Sequence, residues 1–298
     1  MFMMSINQEG EPMKKDEMYK KVLTQVIDLM KTAGSDWTKP FTGSGSLPFS
    51  IGTGKAYRGI NTLILWCASL EHKYSAMQWG TYKAWQTIGA QVRTGEKAQA
   101  IVYWQIQEKE NKDTGEKDTF PMLRVYQVFN AEQVDGYAVP DPVVKNKIEV
   151  IDHAETYFKN TLSEVKHSTE GMAYYVPSMD FIHMPHRDQF MDQESYYATL
   201  GHEHIHWTGH KDRLDREKLD RAFEELVAEL GATFLCASLE IEKTPREDHA
   251  KYLNSWIKQL SDDDGFKLLH KASTLAQKGV EFMDELQNPQ EQLDLETA

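Results

Sequence analysis

Two histidines four residues apart, with a glutamate directly after the first, constrain this chain more than any other stretch: His202-Glu203-His204-Ile205-His206. At that spacing the outer imidazoles leave one face of an α-helix about a turn apart. Two neutral imidazoles so placed can share one metal ion, with Glu203 beside them toward the ion's open position. Zinc lowers the pKa of bound water toward roughly 7, and a carboxylate in reach then serves as general base. Tyr196-Tyr197-Ala198-Thr199-Leu200 supplies a helical lead-in and Gly209 a natural stop. His204 faces away from the pair and reads as an exposed, incidental histidine.

A catalytic zinc takes a third protein ligand and keeps one position open. His210 lies four beyond His206 but past Gly209, and it misses the metzincin spacing. It reads as a group that supports a ligand or contacts substrate, and either it or a nearby Tyr steadies the oxyanion. The acidic helix Phe223-Glu224-Glu225-Leu226-Val227-Ala228-Glu229-Leu230-Gly231-Ala232 is the better source of a ligand. Glu225 and Glu229 share a face, and ionised carboxylates in apolar company need a partner. Glu229 sits among Ala228, Gly231 and Ala232, small residues that permit close approach, and is placed first. Glu225 stands next to it, since gluzincins follow a ligand Glu with a polar group four residues on. Cys67 and Cys236 sit far apart in apolar stretches as buried thiols, so the metal falls to His and carboxylate. Zn2+ is expected, with Mn2+ or Co2+ as alternatives.

The net charge of −13 is unevenly spread. Residues 1–140 hold 16 Lys/Arg against 15 Asp/Glu, +1, whereas the remainder holds 17 against 31, −14. Only the first half can lie comfortably against phosphate. The acidic charges of the second half alternate with Lys and Arg on helices, which marks a solvated surface rather than a DNA mimic. No apolar run reaches the roughly 18 residues that span a bilayer, and no secretory signal is visible. The expectation is a cytoplasmic protein with no membrane partner.

The pattern along the chain predicts an α+β fold in two domains. A disordered leader covers 1–15, a mixed α/β domain 16–140, a mainly helical domain 141–286, and an acidic tail 287–298. In the first domain, helices are expected from Tyr19, over 60–70 with Asn61 or Thr62 as cap, and over 79–88 ending near Gly89. Strands follow at 100–106 and 124–129, joined by a charged excursion over 108–117. Pro140, Asp141 and Pro142 mark the boundary. In the second domain, helices are expected over 148–162, 196–208, 219–239, 251–260 and 266–286. Two short strands around Pro177 precede the metal helix.

Single strands are bound by aromatic faces that stack bases and by cations that follow the backbone. The candidates are Lys55, Tyr57, Arg58, Trp79, Tyr82, Lys83, Arg93 and Lys97. Trp66 and Trp85, in apolar helical settings, read as core. Thr53-Gly54-Lys55 and Thr94-Gly95-Glu96-Lys97 read as turns that hold a cation toward phosphate. The former is no Walker loop, because the preceding glycine spacing is wrong. Near-neutral charge implies modest, salt-sensitive affinity.

The sequence resembles the ArdC family of plasmid-encoded antirestriction proteins over most of its length. In the first half the resemblance rests on Thr53-Gly54-Lys55-Ala56-Tyr57-Arg58-Gly59-Ile60-Asn61, Thr81-Tyr82-Lys83, Val92-Arg93-Thr94-Gly95-Glu96-Lys97, Val102-Tyr103-Trp104 and Val128-Phe129-Asn130. In the second it rests on Tyr196-Tyr197, on 202–210 with its Trp207-Thr208-Gly209, on Arg213-Leu214 and on 224–229. It implies a single-stranded DNA-binding domain joined to a zincin-like metallopeptidase domain. It also implies protection of incoming plasmid DNA from host restriction during conjugation, with a host restriction component or another protein as substrate. His204 departs from the pattern, which usually carries an apolar residue there. The alternative is a non-catalytic protein that shields single-stranded DNA and keeps a structural or vestigial metal site.

Overall fold

The computed structural model describes residues 15–33, 47–110, 117–140, 147–241, 250–261 and 264–287. The expected leader up to residue 14 and the tail from 288 lie outside the described residues. Two compact units divide the rest. Described residues up to Val22 group with Pro48–Pro140, and those of 23–33 group with the residues from 147 onward. The division therefore falls inside helix α1 (Lys15–Ala33), which begins a turn earlier than its apolar spacing predicts.

The first unit is the mixed α/β one. Its strands are β1 (Phe49–Ser50), β2 (Lys55–Ala56), β3 (Gln78–Gly80), β4 (Gln91–Val92), β5 (Gln99–Glu110), β6 (Lys117–Asn130) and β7 (Val134–Asp135). Five pair in the order β2-β1-β3-β6-β5, while β4 and β7 pair with each other. The long hairpin of β5 and β6 places Tyr103 opposite Arg124 and Ile101 opposite Tyr126. Strands therefore extend into the stretch expected to be an irregular excursion. β1, β2, β4 and β7 were not expected, because two-residue strands carry no readable alternation.

Helix α2 (Ile60–His72) is buried over its first ten residues. Asn61 and Thr62, expected as caps, are not: Gly59 takes that position with φ 56° and no side-chain cap bond. Asn61 instead donates Nδ2 to the Val102 carbonyl at 2.7 Å and accepts the Val102 N–H at 2.9 Å. Thr62 donates to the Tyr57 carbonyl at 2.9 Å. The aromatic helix is also shorter than expected. Thr81 is its N-cap, with Oγ1 accepting from Ala84 N at 3.1 Å and extended dihedrals of −65° and 158°. Helix α3 therefore runs Tyr82–Thr87, and Trp79 belongs to β3. Trp85 anchors a core cluster with Ala90, Val92, Phe129 and Val134. Its indole N–H donates to the Phe129 carbonyl at 3.1 Å, and a Cβ on Gly80 would meet the ring at 3.0 Å.

The second unit holds α4 (Lys147–Asn160), β8 (Glu164–Ser168), β9 (Tyr174–Val176), β10 (Phe181–Pro185), α5 (Gln193–Thr208), α6 (Arg221–Leu239), α7 (Ala250–Ser261) and α8 (Gly265–Glu285). Its sheet runs β8-β10-β9, with β10 parallel to β8 and antiparallel to β9. β8 escapes a sequence reading because Val165 is its one apolar residue. The metal helix α5 is enclosed: Tyr196 to Ile205, Trp207 and Thr208 are all buried. Two glycines let its neighbours close in. A Cβ on Gly231 of α6 would lie 2.8 Å from Ile205, and one on Gly279 of α8 would lie 3.0 Å from Thr208 Oγ1. The small residues around Glu229 thus serve the close approach of α6 to α5.

Candidate functional site

Asp192 caps α5 by accepting from Ser195 N at 2.7 Å, and Asp220 caps α6 by accepting from Ala222 N at 3.0 Å and Phe223 N at 3.2 Å. With both helices so started and packed through Gly231, three donors converge. His202 Nε2 and His206 Nε2 stand 3.1 Å apart. Glu225 Oε2 lies 3.5 Å from the first and 3.7 Å from the second. Donors held about 2.1 Å from one tetrahedral ion stand roughly 3.4 Å apart, so this set fits a metal of zinc's size. The cluster combines two imidazoles and one carboxylate.

Glu229, placed first from sequence, does not join that triad. Its Oε2 stands 3.5 Å from His202 Nδ1, on the ring's other nitrogen. One helical turn separates the two glutamates, and the turn nearer the start of α6 is the one level with the Nε2 atoms. Glu224 occupies the matching place on His206, with Oε1 3.5 Å from Nδ1. Arg216 holds Glu224 through Nη2 at 2.9 Å and reaches the α5 end through the Ile205 carbonyl at 2.5 Å and Thr208 Oγ1 at 3.1 Å. Carboxylates on the second ring nitrogen orient a ligating histidine and raise its basicity. Neither Glu224 nor Arg216 was singled out from sequence. Glu224 sits about 100° round the helix from Glu225, and Arg216 lies in a loop to which no spacing points.

Electrostatics match the geometry. Burial disfavours a charged His206, but Glu224 and Glu225 outweigh it and raise the imidazole to about 10. Burial also opposes ionisation of Glu225, yet His202 and His206 hold its carboxyl well below the usual range. The cluster is organised around positive charge.

The triad opens into a cleft of about 500 Å³, lined also by Glu203, His210 and Tyr175. Glu203 is buried beside the ligand face. His210 is buried, with Asp212 Oδ2 3.5 Å from Nδ1 and Glu217 Oε1 3.8 Å from Nε2. Tyr175 donates to Asp180 at 2.8 Å, and Arg213 binds Asp180 while lying 4.0 Å over the Trp207 ring. Edge strand β9 lines the same cleft through Tyr174 and Tyr175.

His204, expected to be exposed, is fully buried. The Leu200 carbonyl, 2.8 Å from Nδ1, can only accept, so Nδ1 carries the proton and Nε2 accepts from Ser163 Oγ at 2.8 Å. The ring is a structural link away from the triad, and burial lowers its pKa to about 4.

In the first unit the expected DNA residues separate. Lys55, Arg58, Tyr82, Lys83 and Lys97 are exposed. Tyr57 at 6% exposure and Trp79 at 1% are core, so neither ring can stack a base. Arg93 is a clasp: it pairs with Glu96 at 2.8 Å and Asp135 at 3.7 Å and donates to the carbonyls of Glu132 and Val134. Trp66 and Trp85 are buried.

Residues 152–274 match a zincin-like metallopeptidase family, and residues 16–129 match the N-terminal domain of anti-restriction factor ArdC. The crystal structure of the metal-free antirestriction ArdC protein from plasmid R388 is similar throughout. It is 37% identical with a TM-score of 0.77, over 91% of this chain and 98% of that one. The chain belongs to the ArdC antirestriction family. The Mn(II)-bound R388 ArdC structure is 38% identical with a TM-score of 0.73, over 90% of this chain and 97% of that one. The uncharacterised protein y4eC of Sinorhizobium fredii is 35% identical over 91% of this chain and 93% of its own length. A DNA primase TraC of Escherichia coli is 34% identical over 84% of this chain, which spans 19% of that primase. The two-domain α+β architecture is that of ArdC, with a zincin-like second half. Among the described residues no helix is long and apolar enough to cross a membrane.

Proposed function

We propose that this ArdC-family protein binds single-stranded DNA through its first unit and hydrolyses a polypeptide through its second, protecting incoming plasmid DNA from host restriction during conjugation. One observation carries the hydrolytic half: His202 Nε2, His206 Nε2 and Glu225 Oε2 within 3.1 to 3.7 Å of one another, with Glu203 in the same cleft. These three residues would hold the metal, zinc in this reading, with Mn2+ or Co2+ able to take the same donors. The ion supplies Lewis acidity that polarises a carbonyl and makes water easier to ionise. Glu203 accepts the proton of the attacking water and returns it to the leaving nitrogen. His210 donates toward the oxygen that gains negative charge. Glu229 and Glu224 fix the imidazole rings. Edge strand β9 gives an extended peptide a backbone to pair with beside the donors, which favours a polypeptide over a small substrate.

Metal analysis of the parent and of His202→Ala, together with plasmid transfer into a restricting recipient by Glu203→Gln, tests this. The parent is expected to hold one metal that His202→Ala loses, and Glu203→Gln to keep the metal but lose antirestriction. Full antirestriction by Glu203→Gln would establish shielding of DNA as the working activity instead.

A further inference from the structure

With Tyr57, Trp66, Trp79 and Trp85 all in the core, base stacking in the first unit falls to other rings. The β5–β6 hairpin supplies two. Tyr103 and Tyr126 meet edge to face, ring centres 5.5 Å apart and planes at 87°, and remain 47% and 40% exposed. Ile101 and Val128 share their side of the ladder but are buried, so the covered part of the face gives way at these tyrosines to an open one. Arg124, directly opposite Tyr103 in the register, is exposed on that same open face.

We infer that Tyr103, Tyr126 and Arg124 form a stacking platform for the bases and backbone of a single strand; this rests on the single-strand reading above. Perpendicular rings on a sheet present one aromatic face and one aromatic edge, which suits unstacked bases. A duplex hides its base faces. The adjacent guanidinium gives phosphate a partner, and the charge of +1 over residues 1–140 against −14 in the remainder leaves this half as the one that tolerates a polyanion.

Anisotropy of a labelled oligo(dT) titrated with the full chain tests the platform. Tyr103→Ala/Tyr126→Ala should weaken binding by about tenfold or more. Tyr103→Phe/Tyr126→Phe, which keeps the rings, should stay within about twofold of the parent. Arg124→Ala should flatten the salt dependence by about 0.7 in log–log slope. A folded alanine variant that binds as the parent does overturns the platform while leaving single-strand binding intact. A parent that fails to bind oligo(dT) at low salt overturns both. Photocrosslinking of bromodeoxyuridine-substituted oligo to the parent needs no variant to fold: adducts on Tyr103 or Tyr126 support the platform, and adducts confined to other residues refute it.

Discussion

The two units use the same kinds of residue in opposite ways. In the second, the polar side chains of interest are buried or half-buried and each is held by a neighbour: His202 between Glu225 and Glu229, His206 between Glu225 and Glu224. In the first, the cations sit on the surface, and Tyr82, Tyr103 and Tyr126 are exposed, the last two as a pair on a hairpin. A site inside a helix pair is specified by helical geometry, which sequence spacing carries. A surface site is specified by exposure, which spacing does not carry.

The contrast breaks first at the metal. Glu225→Ala is expected to lower affinity for Zn2+ or Mn2+ by more than about 100-fold, and Glu229→Ala by about 10- to 100-fold, as loss of an orienting group does. Calorimetric titration of the chelated variants measures both, and the reverse order would return Glu229 to the ligand position. Next comes the helix contact. Gly231→Ala places a methyl against Ile205 at 2.8 Å. It should destabilise the second unit by about 1 to 3 kcal/mol in urea unfolding; a neutral result would mean that α5 and α6 shift freely.

The smallest effect sharpens the comparison through pH. An unfolded histidine takes up a proton near pH 6.5, whereas buried His204 resists until about 4. Between those values the unfolded chain binds more protons, so this contribution to stability is complete above about 6.5 and is lost as pH falls toward 4. The loss reaches about 2 kcal/mol by pH 5. In chelated protein, His204→Gln should therefore lose less stability between pH 7 and 5 than the parent. Equal slopes in thermal melts would contradict it.

How far the sequence could be read follows the same division. His202 and His206 face one way because four residues make about one helical turn, and no tertiary knowledge is needed for that. Choosing between Glu225 and Glu229 requires the height of α6 against α5, which depends on the Gly231–Ile205 contact across 26 residues of chain. Both glutamates show the same spacing, and only packing separates them. Trp79 was read into a helix because aromatics run on into the α3 segment, yet the Thr81 cap starts that helix two residues after it and leaves Trp79 in β3. Tyr57 lies among Gly52, Gly54, Lys55, Arg58 and Gly59, and nothing in that polar stretch shows that its ring is buried.

Asn61 has a consequence beyond the packing of α2. β5 ends its sheet, and an edge strand offers free backbone groups to any other copy of the protein. By answering both the N–H and the carbonyl of Val102, one amide side chain takes the place of a sixth strand at that rung. The chain thereby guards itself against edge-to-edge association with a side chain, where sheet proteins commonly use charge or proline. A residue that would pass for a helix cap thus closes one backbone rung of a sheet edge.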